Sequence, residues 1–209
     1  MKKYIAILVG LLLIPFLVRP SNFIELYAPF HDGQYLLATA IMQEPDDRDS
    51  FELAWPNWLI RLVVANYDFK FAKNFDDNQS KLQFILAALF EHEEGKSTED
   101  EIGYVLSLAQ RAIDEGSDIN NVASYGLSGL HEAVLFNSIV AADFLISNGA
   151  ECNKVVSRPG KPIDGMGALE MAEYLSTKSD KNRADILAYL KSQECNKSSK
   201  KDALTRASS

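Results

Sequence analysis

Catalytic hardware is scarce in this chain. Histidine occurs three times, at His31, His92 and His131, far apart and with no cysteine or second histidine at ligand spacing, so no metal site is expected. There is no Gly-x-Ser-x-Gly elbow, no phosphate loop and no pair of histidines with an acid at helical spacing. The expectation is that the protein is not an enzyme and carries no cofactor. Basic charge is short as well. Twenty-one Lys and Arg against 29 Asp and Glu leave a net charge of −8, and no basic stripe is present to meet nucleic-acid phosphates. The acidic residues are dispersed. Their densest groups, Asp46, Asp47 and Asp49, then Asp76 and Asp77, lack the spacing and glycine of a calcium loop and read as solvated turns.

Long apolar runs reduce to one. Lys2 and Lys3 precede an uncharged stretch from Tyr4 to Val18 that Arg19 and Pro20 close, the pattern of an export signal. As a helix this stretch would span about 22 Å, short of a bilayer core of roughly 30 Å, which favours a signal peptide over a full span. No small-x-small cleavage site follows it, and no cysteine follows to accept a lipid. An uncleaved anchor and a cleaved signal both stay open for residues 1–20. In either case the remainder is expected in the periplasm, or anchored in the inner membrane facing it, with the amino end inserted in the membrane at least transiently.

Residues 21–78 hold a concentration of aromatics, among them Phe23, Tyr27, Phe30, Tyr35, Phe51, Trp55, Trp58, Tyr67, Phe69, Phe71 and Phe75. The pattern predicts a short helix over Gln34 to Met42, a loop over residues 45–50, and a helix that Pro56 opens and Asn66 ends. A further helix over Ser80 to His92 is apolar almost all round and should be covered on several sides. These helices read as a cap on the open amino-terminal face of the second half of the chain, or as a surface for a partner or the membrane. A charged loop fills most of Glu91 to Asp100, a helix is expected from Glu101 to Ile113, and residues 198–209 read as a disordered tail.

The stretch from Gly126 to Asn153 organises residues 79–197. A turn glycine, Gly126, is followed by Ser128, Gly129, Leu130 and His131, then by the small Ala133. Farther on come the apolar Phe144, Leu145 and Ile146, and a stop at Asn148, Gly149 and Ala150. The stretch resembles an ankyrin repeat, a β-turn followed by two helices, with Ser128 to His131 standing for the family's Thr-Pro-Leu-His. Glu115 to Asn120 aligns with Asn148 to Asn153 at a separation of 33 residues, and Leu130 with Leu169 at 39. The fold expected is all-α, a short ankyrin solenoid with atypical end repeats, an N-terminal helical cap and an N-terminal signal or anchor helix. Gly129 departs from the family's proline. Asn137 departs from the glycine that ends its first helix, although asparagine tolerates the left-handed conformation. Cys152 and Cys195 fall at equivalent points of successive repeats. Helices spaced about 8–10 Å apart exceed the roughly 7 Å that a disulfide bridges, so two separate thiols are expected, with a disulfide open if the last repeat leans inward.

The resemblance implies protein recognition through turn tips and the outward side of the first helix. In this register those places fall on Ser124, Tyr125, Leu127, Glu132, Leu135 and Phe136, then on Met166, Met171 and Tyr174, beside an enlarged loop with Arg158 and Lys161. Proteins of this build resemble immunity proteins against toxins delivered between bacteria, including lipases. The expected function is therefore a binding module that neutralises or positions another protein in the periplasm. An envelope assembly factor and an accessory to a periplasmic stress enzyme are the alternatives.

Overall fold

Helix starts in the second half of the chain share one local device, and it sets the fold. The computed structural model of the protein describes residues 37, 41, 57–92, 99–178, 181–193 and 195. The expected export segment, the helix expected over Gln34 to Met42 apart from Leu37 and Ile41, residues 45–50, the middle of the charged loop and the tail lie outside the described residues. The described residues form seven helices and no strand: α1 (Asn57–Asn66), α2 (Lys81–His92), α3 (Glu99–Asp114), α4 (Gly129–Phe136), α5 (Ile139–Ser147), α6 (Ala168–Ser176) and α7 (Ala184–Ser192). The protein is all-α. None of these helices is long and apolar enough to cross a membrane.

The chain divides into two compact units between Lys70 and Phe71. In the first, α1 buries Val64 and leaves Leu62 exposed, and the rings of Tyr67 and Phe69 pack 4.7 Å apart after it. Leu37 and Ile41 are helical and buried.

In the second unit the helices pair in chain order. Helix α2 packs on α3, α4 on α5, and α6 on α7; across the pairs α2 touches α4 and α5, α4 touches α6, and α5 touches α7. Each first helix opens with the same arrangement. The residue three places ahead of it takes positive φ: Asn78 (59°), Gly126 (82°) and Gly165 (76°). The third helical residue then reaches back to the backbone N–H at the helix entrance. Ser80 N donates to Gln83 Oε1 at 3.1 Å, Ser128 N to His131 Nδ1 at 3.3 Å, and Gly167 N to Glu170 Oε2 at 3.1 Å. Three residue types thus satisfy the same orphan donor.

Helix ends recur too. Gly116 and Gly149 take φ of 93° and 96° just past α3 and α5, where Ser117 N and Ala150 N each return to a carbonyl five residues back at 2.9 Å. Asn137 ends α4 in the left-handed conformation, φ 66°, and only Ser138 separates it from α5. With a connection that short, α4 and α5 must run antiparallel. The pair buries Leu130, Ala133, Val134, Ala141, Ala142 and Leu145, and the three alanines let the two helices approach closely. Arg183, at the entrance of α7, donates to the carbonyls of Val134 and Leu135 and so covers the open C-terminal end of α4.

The turns stack into a ladder. Ser124 N donates to Asp77 O and Ser157 N to Gly126 O, both at 2.9 Å, while Asn120 Oδ1 accepts Glu151 N at 2.8 Å. Gly126 is the tightest point of this ladder. A Cβ there would stand 1.9 Å from Ser157 O, so close approach and positive φ both demand glycine.

The two cysteines are not separate thiols: Cys152 and Cys195 form a disulfide with their Cα atoms 5.1 Å apart. The spacing of helix axes does not govern them. Cys152 lies in the turn after α5 and Cys195 just past α7, where the chain bends back with Cys195 N toward Leu190 O.

A candidate binding groove between the first two helix pairs

Glu132, Leu135 and Phe136 share one side of α4, because positions three and four apart stand over one another on a helix. Opposite them α2 brings Ala87 and Phe90, and the turns and loops add Gln79, Tyr125, Leu127, Arg158 and Lys181. Together these residues line a groove of about 860 Å³. Phe136 is 50% exposed and stacks on Phe90, ring centroids 4.5 Å apart and planes within 11°. Two aromatic rings and Leu135 therefore give the groove an apolar wall that is open to water.

Its polar part is a hydrogen-bonded chain. Gln79 Nε2 donates to Tyr125 Oη at 3.0 Å, and Tyr125 Oη–H donates to Glu132 Oε1. Glu132 is only 6% exposed. Burial, with Asp77 nearby, raises its carboxyl to about 7, while the Tyr125 hydrogen bond pulls the other way. The same burial and the neighbouring carboxyl raise the Tyr125 phenol. Among the described residues no donor reaches Glu132 Oε2, and that oxygen is not sealed from the groove.

Beneath this surface His131 is a framework residue. Accepting Ser128 N at Nδ1 places its proton on Nε2, which faces the carbonyls of Lys154 and Met166 without closing a hydrogen bond to either. Burial lowers the imidazole to about 4, so it is neutral at ordinary pH. Among the described residues no group of His, Cys, Asp and Glu is arranged to hold a metal ion.

Of the positions read from the sequence, Tyr125, Leu127, Glu132, Leu135, Phe136 and Arg158 come together here, but Leu127 is 3% exposed and belongs to the core rather than to an outward contact surface. The others lie elsewhere. Ser124 is exposed on the turn ladder, Met166 is half-buried where its carbonyl accepts Val156 N, and Tyr174 is half-buried with Lys178 Nζ 6.0 Å from its ring. Met171 has to be corrected. It is 0% exposed, because Ala168, Leu169, Met171 and Ala172 form the inward stripe of α6, the helix that packs on α4 and α7, and no partner can touch it. The sequence does not single out Gln79, Phe90 and Lys181 as surface residues. Phe90 sits in a helix apolar almost all round, and nothing local distinguishes the side that stays open. No protein-family model matches this chain, and no curated protein matches it either.

Proposed function

We propose that this protein is a short ankyrin-type solenoid, exported from the cytoplasm, that binds another protein through the groove between α2 and α4 and thereby neutralises or positions it. The observation that carries this reading is the open Phe90–Phe136 stack beside a buried acid. A helical stack has no need of exposed stacked aromatics for its own stability, and such residues dominate interface energetics. The recurring turn and helix-entry geometry at Asn78, Gly126 and Gly165, with the helix ends at Gly116 and Gly149, supports the ankyrin-type reading. The Cys152–Cys195 disulfide supports export, since such bonds persist in oxidising compartments.

A photo-crosslinking residue in place of Phe136, carried by the full chain in living cells, is expected to give one discrete adduct with another protein. The same residue at Asp143, exposed on α5, serves as the control. Equal or absent adducts at the two positions would overturn the binding reading. Export has its own test. Alkylation of intact cells before lysis should leave Cys152 and Cys195 unlabelled, whereas full labelling of both places the chain in a reducing compartment.

A further inference from the structure

The groove has an electrical asymmetry that narrows what can occupy it. Glu132 is held from one side by Tyr125, which is itself held by Gln79, so the free oxygen Oε2 is fixed in direction before anything binds. Preorganised acceptors of this kind lose little entropy on meeting a donor. The two cations of the lining are placed differently. Arg158 lies along the turn glycine Gly126 on an exposed loop, and Lys181 is exposed next to Asn182, whose carbonyl accepts Asn137 Nδ2 beyond the other end of α4. Lys181, exposed on a long stem, gains little from an ion pair, and the half-buried stem of Arg158 is taken up by packing along the Gly126 turn. A desolvated carboxylate with an unused oxygen gains more, since charge-assisted hydrogen bonds are about twice as strong as neutral ones.

We propose that the groove receives a basic side chain of the partner protein, an arginine or lysine whose head donates to Glu132 Oε2, with an apolar side chain beside it seated on Phe90 and Phe136. This rests on the binding reading above and specifies its chemistry. Glu132 and Phe136 are four residues apart on α4, so the two subsites stand roughly 6 Å apart, the separation of neighbouring side chains one turn apart on a helical segment. The raised titration of Glu132 agrees with this assignment: burial makes its charge costly when the groove is empty, and an incoming cation offsets that cost. The net charge of −8 adds attraction for a basic partner at longer range.

The test uses the isotopically labelled full chain with its disulfide intact. Three short alanine-based helical peptides are titrated into it: one with arginine and leucine a helical turn apart, one with the neutral isostere citrulline for arginine, and one with glutamate. The arginine peptide is expected to shift the signals of Glu132, Phe136 and Phe90 and to bind at least about tenfold tighter than the other two, a difference of about 1.4 kcal/mol. Glu132→Gln, which keeps an acceptor for Tyr125, should erase that preference without lowering the melting temperature. Equal binding of all three peptides, preference for glutamate through Arg158 and Lys181, or no titration at Glu132 overturns the assignment. Crosslinking at Phe136 together with any of these results would leave the binding reading standing, so the two failures are distinguishable.

Discussion

Glu132 and His131 are chain neighbours whose burial pushes their titrations in opposite directions. Glu132 rises from 4.5 to about 7, so the folded protein holds more protons than the unfolded chain across that interval, and stability falls as pH rises through it. His131 drops from 6.5 to about 4; here the unfolded chain holds more protons, and stability climbs as pH rises from 4 to 6.5. Between 4.5 and 6.5 the two slopes oppose one another. Urea melts at closely spaced pH values should therefore find Glu132→Gln gaining stability with pH in this window, by up to about 1.4 kcal/mol per unit. His131→Gln, which preserves the helix-entry hydrogen bond that Gln83 makes in α2, should lose stability with pH up to 7. Parallel profiles for the two variants would contradict the burial of one or both groups. Gly126 makes a blunter prediction. Gly126→Ala meets both a positive φ and the Ser157 carbonyl, so a loss above about 2 kcal/mol is expected in the same melts, where an ordinary surface glycine would lose well under one.

At the scale of elements, the last helix pair is tied to the rest by covalent bonding as well as by packing. The disulfide spans 43 residues and so encloses the enlarged loop, α6 and α7. By loop-closure entropy a link of this length contributes about 4 kcal/mol. Replacing both cysteines with serine is expected to cost a comparable amount, and amide exchange should show it first in α6 and α7, with α2 and α3 keeping their protection. Uniform loss across all pairs would mean that the link acts on the whole second unit. The turn ahead of α4 is likewise tied to the helix it introduces. A tyrosine at a turn tip reads from sequence as a free contact residue, but Tyr125 is half-buried and donates to Glu132, so Tyr125→Ala removes a structural hydrogen bond. Phe136, half exposed at the end of α4, is the cleaner position for separating binding from stability.

For the molecule as a whole, what can be read from the chain is whatever local chemistry decides. The turn at Gly126, the α4–α5 hairpin with its small residues, the helix stop at Gly149 and the left-handed Asn137 all follow from neighbours within a few residues. Half the groove is legible for the same reason: Glu132, Leu135 and Phe136 are spaced to share a side of one helix. The opposite wall is not, because which side of α2 stays uncovered depends on where α3, α4 and α5 settle against it. Met171 and the cysteine pair fail on the same ground. Repeat register assigns each of them a place, and contacts between elements whose connections differ in length from the central pair decide otherwise.

The enlarged loop ahead of α6 is at once exposed and guarded. Past the half-buried Lys154, its two basic residues, Arg158 and Lys161, are each followed by proline, a bond that trypsin-like proteases do not cut, while Asp164 is exposed at its end. An aspartate-directed protease is thus the reagent suited to opening this loop, and the disulfide encloses the cut. The protein nicked there should migrate as a single band without reductant and as two with it, so the chain can be severed in an accessible loop without the two pieces parting.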